Sequence, residues 1–140
     1  MWIYKKQLQF PVKICNTDPR LAQVIISQFG GPDGELSAAM RYLSQRYHMP
    51  TNEAKAALTD IGTEELAHLE IVGAVVRQLT KNMTVSQVKA GGYDATFVDH
   101  TGGVYLQSAA GVPFTAASLQ VKGDPITDLH ENMAADGTTA

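Results

Sequence analysis

The amino-acid sequence predicts an all-α protein: a long helical hairpin, a long irregular loop and a short C-terminal helix. Three observations carry that prediction. Apolar residues recur at helical spacing through most of positions 19–81, the periodic stretches open at capping residues, and the glycine-rich stretch that follows shows no sustained period. At 140 residues, with 44% hydrophobic and 18% charged, the chain can bury one core and is too short for two independent domains. Residues 1–140 are therefore expected to form a single domain.

Residues 1–17 break at Pro11 and read as an extended N-terminal arm. Asn16-Thr17-Asp18-Pro19 then starts a helix, because the side-chain oxygens accept orphan backbone N–H groups and proline is pre-set to helical φ. Its expected buried stripe is Leu21, Val24, Ile25 and Phe29, ended by Gly30-Gly31-Pro32 acting as a hinge. A second helix is expected from about Asp33 to Tyr47. A third opens at Pro50-Thr51-Asn52-Glu53, capped by Thr51 or Asn52, and its period runs through Ala54, Leu58, Ile61, Glu65, His68, Val72, Val75 and Leu79 to about Lys81. That makes a helix of roughly 30 residues and 45 Å. From Asn82 to Lys122 the chain is expected to be mostly irregular with short helical turns. Asp124-Pro125 starts a last helix of barely three turns, with Ile126, Leu129 and Met133 as its apolar face and a fraying end from Ala134.

Several functions are disfavoured by composition. A net charge of −3 offers no basic footprint for a phosphate backbone, so nucleic acid is not an expected partner. No apolar run approaches the roughly 20 residues that cross a bilayer, so no membrane span is expected. Cys15 is the single cysteine and the start lacks a secretory h-region, which points to a reducing, cytoplasmic setting.

The chemistry-bearing feature is Glu65-Leu66-Ala67-His68. Residues three apart share a helix face, so this carboxylate and imidazole point into the same space. Ile61, Val72 and Val75 lie on that stripe, which pushes the pair into a core where an unpaired carboxylate is costly. A metal ion would resolve the conflict. Glu35 precedes a stripe of Ala39, Tyr42, Leu43 and Arg46 and faces inward in the same way. One Glu from one helix and Glu-x-x-His from the next is half of the ligand set of a dinuclear carboxylate bundle. Glu64 reads as solvated, and His48, His100 and His130 as surface or loop residues. Gly30 to Gly34 lacks the strand and Lys-Ser/Thr of a phosphate loop. The serines stand in no nucleophile elbow, and Cys15 reads as packed or idle.

Asp18-Pro19-Arg20, Gly30-Gly31-Pro32-Asp33-Gly34-Glu35-Leu36, Arg41-Tyr42-Leu43, the run from Asp60 to Glu70, Ala110-Gly111-Val112-Pro113-Phe114-Thr115 and Gly123-Asp124-Pro125-Ile126-Thr127-Asp128-Leu129 together resemble the manganese catalase family. The resemblance covers essentially residues 1–135, and within the family it points to the spore coat protein JC group of spore-forming bacteria. It implies a ferritin-like bundle, a homo-oligomer and a di-manganese centre that disproportionates hydrogen peroxide to water and oxygen. It also implies Glu35 as a terminal carboxylate ligand of one manganese, His68 as its imidazole ligand, and Glu65 as the catalytic carboxylate bridging both metals. Tyr42 is implied as a tyrosine that hydrogen-bonds near the cluster, and Asp136 as a weaker ligand. Manganese is the implied cofactor, with iron the less favoured metal and no cofactor beyond the metal. The implied location is cytoplasmic or the spore coat, the latter with other coat proteins as partners.

The sequence departs from the family at its end. In the family the helix that begins at residues like Asp124-Pro125 runs on to a third Glu, where this chain has Asp136, and a fourth helix brings a second Glu-x-x-His. Here Gly137-Thr138-Thr139-Ala140 follows. Three expectations follow: a C-terminally truncated product with impaired activity, a non-catalytic coat or assembly component, or a site completed by association of two copies.

Overall fold

In the computed structural model the described residues are 3–93, 108–112, 119 and 121–139. His100, the glycines at 102 and 103, Pro113, Phe114, Thr115 and Ser118 lie outside them. The order is α1 (Pro19–Gly30), α2 (Glu35–Gln45), a 3-10 turn (Arg46–His48), α3 (Asn52–Thr80), α4 (Val85–Ala90) and α5 (Pro125–Thr139), with no strand among the described residues.

Each start has a local cause. The Asp18 carboxylate accepts from the N–H groups of Arg20 and Leu21, both at 3.0 Å, and Pro19 occupies the first helical turn. Thr51, rather than Asn52, caps α3 by accepting from Ala54 N–H at 3.1 Å. In α4 the Thr84 hydroxyl accepts from Gln87 N–H and the Gln87 side chain accepts from Thr84 N–H. This capping box stabilises a helix where sequence periodicity indicated only turns. The Asp124 carboxylate accepts from Thr127 N–H at 2.8 Å and so starts α5.

α3 is the spine. α2 packs most extensively along it and α1 packs beside α2. Close approach is possible because α3 presents glycine at both crossings: an added Cβ on Gly62 would stand 2.9 Å from Leu43 Cγ, and one on Gly73 would stand 3.2 Å from Phe29 Cε2. One core joins Ala22, Ile26, Val76, Leu79, Val88 and Tyr93; a smaller one joins Tyr42, Met49 and Leu58. The N-terminal arm lies along the outer face of α3. Gln78 donates to Val12 C=O at 2.9 Å and accepts from Ile14 N–H at 2.7 Å, Gln9 donates to Glu64 at 3.1 Å, and Tyr4 hydroxyl donates to Glu70.

Four expectations are corrected. In α1 the buried line is Ala22, Ile26 and Gly30, with Ile25 and Phe29 beside it, whereas Leu21 and Val24 are exposed. Gly31 and Gly34 are buried against the backbone of Ser27 and Gln28, so residues 30–34 form a packed corner rather than a hinge. The second helix is shorter than expected, since Asp33 lies before it and the chain tightens to the 3-10 turn after Gln45. α5 continues through 15 residues to Thr139 and packs on a polar face: Asp128 and Asn132 are buried, while Ile126, Leu129 and Met133 are exposed. No helix among the described residues is long and apolar enough to cross a membrane.

Candidate metal centre

Glu35 is the first residue of α2, directly after the Gly34 cap, where the helix dipole favours a negative charge. Glu65 and His68 lie midway along α3, and the packing of α2 on α3 brings all three together. One ligand atom from each of Glu35, Glu65 and His68 lies within 4.8 Å of the others. His68 Nδ1 is 2.8 Å from Glu65 Oε2 and 4.0 Å from Glu35 Oε2. Glu65 is buried, and the side chains of Glu35 and His68 are 27% and 37% exposed, so the cluster has a closed floor and an open side. Ile61, expected to wall it in, is exposed.

The electrostatics record two carboxylates competing for one space. Burial, followed by the hydrogen bond and charge of Glu65, raises the Glu35 carboxyl to about 7. For His68, burial pulls the imidazole down, but the bond to Glu65 and the charges of Glu65, Glu35 and Glu64 outweigh it and leave it raised. A cation would stabilise both carboxylates in ionised form. Two carboxylates with an imidazole form a hard donor set that fits divalent manganese or iron.

Tyr42 sits on the same face of α2 as Glu35. Its hydroxyl donates to Asp136 Oδ1 at 2.6 Å, and burial, with that bond, raises the phenol far above its ordinary value. Asp136 is outside the three-atom cluster, yet its charge contributes to raising Glu35. His48 is not a lone surface residue, because its Nε2 is 3.6 Å from the buried Asp128 carboxylate. His130 and Glu64 are exposed, as is Cys15. Sequence reading missed Gln45, Asn132 and Asp128. The available signal was the spacing of 128, 132 and 136, which places three polar residues on one face of α5.

The family model for "Manganese containing catalase" matches residues 1–139. The chain belongs to the manganese catalase family. It is 51% identical over 136 residues to Protein CotJC of Bacillus subtilis (strain 168), covering 97% of this chain and 71% of that one. It is 36% identical to a probable manganese catalase of Clostridium acetobutylicum, covering 97% of this chain and 61% of the relative. The crystal structure of wild-type KatB, a manganese catalase from Anabaena, superposes with a TM-score of 0.83 at 39% identity, covering 99% of this chain and 62% of KatB. The fold is therefore the ferritin-like helical fold of the manganese catalases, and the chain spans about three fifths of the length of those two catalase relatives.

Proposed function

We propose that this manganese catalase family chain binds manganese through Glu35, Glu65 and His68 and disproportionates hydrogen peroxide to water and oxygen. The observation that carries the reading is the convergence of those three donors within 4.8 Å. A pair of manganese ions, each changing by one electron, would supply the two-electron exchange with peroxide. The chain's own residues do the rest. Glu65, the most buried of the three, is the candidate for the bridging role. Glu35 and His68 hold the exposed side, where substrate has access. Tyr42 orients the Asp136 carboxylate toward the cluster as a weaker ligand. The test is oxygen evolution from peroxide by manganese-loaded protein beside a Glu65→Ala control. Activity that disappears in the control supports the proposal; equal rates in both overturn it.

The 140 residues contain one Glu-x-x-His, whereas a complete dinuclear carboxylate set uses two. A homodimer with a twofold axis beside the open side of the cluster would supply Glu35, Glu65 and His68 twice. Metal-to-chain stoichiometry at or above one, in a species of twice the chain mass, is the expected result. A strictly monomeric loaded protein overturns this part of the proposal.

A second reading is favoured by the identity to Protein CotJC: a spore coat component in which the helices serve as scaffold. Its expected signature is a normally folded Glu65→Ala protein that assembles with coat material as the wild type does. The location follows the reading, cytoplasmic for the enzyme and spore coat for the scaffold.

A further inference from the structure

α5 is docked by hydrogen bonds, with its apolar stripe turned outward. Along one face, Asp128, Asn132 and Asp136 recur every four residues, and they meet His48, Gln45 and Tyr42, which recur every three along α2 and its 3-10 turn in the opposite direction. The first rung is anchored, since Asp128 also accepts from the N–H groups of Lys122 at 2.7 Å and Gly123 at 3.1 Å. The middle rung is reciprocal: Asn132 Nδ2 donates to Gln45 Oε1 at 2.6 Å and Gln45 Nε2 donates to Asn132 Oδ1 at 3.3 Å, both residues being buried. The last rung is the Tyr42–Asp136 bond beside the metal cluster.

Apolar contacts tolerate sliding, whereas two buried amides satisfy each other in one register only. We propose that Gln45 and Asn132 are positioning residues: their reciprocal amide bond fixes the register of α5 and so sets the Tyr42–Asp136 pair against the metal cluster. The inference rests on the reading of Glu35, Glu65 and His68 as a manganese site. The pair acts on the cluster through Asp136, one turn further along the same face of α5.

The experiment measures binding of manganese(II) ion alone to the full chain by titration calorimetry, with melting followed separately by circular dichroism. Gln45→Asn shortens one partner, Asn132→Gln lengthens the other, and the double variant restores the combined length. Each single variant is expected to weaken manganese binding about tenfold, and the double variant to return within about threefold of wild type. Val85→Ala, on the exposed face of α4, is expected to bind as wild type. A purely structural pair would lower the melting temperature and leave affinity in the folded protein unmoved, which overturns the inference. If a single variant does not fold, the double variant decides: folding with restored affinity supports the exchange, and folding with weakened affinity overturns it. A wild type that binds manganese no better than Glu65→Ala overturns the metal reading and this inference together. Tight wild-type binding unaffected by the amide variants overturns the positioning role alone.

Discussion

At the scale of single residues the cluster stores a conflict that only a cation or a proton relieves. Glu35 titrates near 7 in the fold against an ordinary value of 4.5, because burial and Glu65 oppose its charge. A carboxyl raised on folding contributes stability at pH below its unfolded value, and that contribution is lost as pH rises through the folded value. The metal-free protein is therefore expected to lose stability between about pH 4.5 and 7 on account of Glu35. Glu35→Gln removes that dependence. Metal-free Glu35→Gln is expected to gain on wild type by about 1 kcal/mol, or about 3 °C in melting temperature, between pH 5 and pH 8, the partial exposure of Glu35 limiting the effect. With manganese added the order is expected to reverse, because the amide removes a ligand. Thermal melts at both pH values, with and without metal, check both signs. Manganese must also displace the Glu35 proton below pH 7. Affinity is expected to fall about tenfold per pH unit below 7, with proton release seen as a buffer-dependent heat.

Among the helices, local signals were legible and pairings were not. Asp18-Pro19 and Thr51 announced their helices because a cap satisfies groups within three residues of itself. Glu65 and His68 were legible for the same reason, since their relation is one turn of one helix. The rung between Gln45 and Asn132 spans 87 positions, and no spacing rule reaches that far. The faces of α1 and α5 were misjudged where apolar residues were assumed to point inward. That assumption fails where a helix has a neighbour able to satisfy its polar side, as Gln45, Tyr42 and His48 do for α5. The same limit concealed Gly62, which reads as a weak point in an isolated helix and is the contact that lets α2 approach. Gly62→Ala should gain up to about 1 kcal/mol of helix propensity. The new methyl, however, meets Leu43 Cγ at 2.9 Å and Tyr42 Cβ at 3.1 Å, close to the α2 backbone. A net destabilisation of about 1–3 kcal/mol is expected in chemical denaturation, together with weaker manganese binding as Glu35 moves away from Glu65.

For the whole molecule, two features stay uncovered: the exposed side of the metal cluster and the outward apolar stripe of α5. On the stripe Ile126 and Met133 are 71% and 73% exposed, with Leu129 exposed between them. Exposed apolar side chains in such an arrangement favour an interface. In the homodimer proposed above, a twofold partner seated on the stripe would cover it. Ile126→Lys with Met133→Lys puts charge into that contact without entering either core of the monomer. The double variant is expected to keep its helical spectrum and melting behaviour as a monomer, to sediment at half the wild-type mass, and to lose manganese stoichiometry in proportion. Sedimentation of both proteins with metal analysis of each peak checks this. A double variant that sediments and binds metal as wild type does would mean the stripe is not the dimer contact.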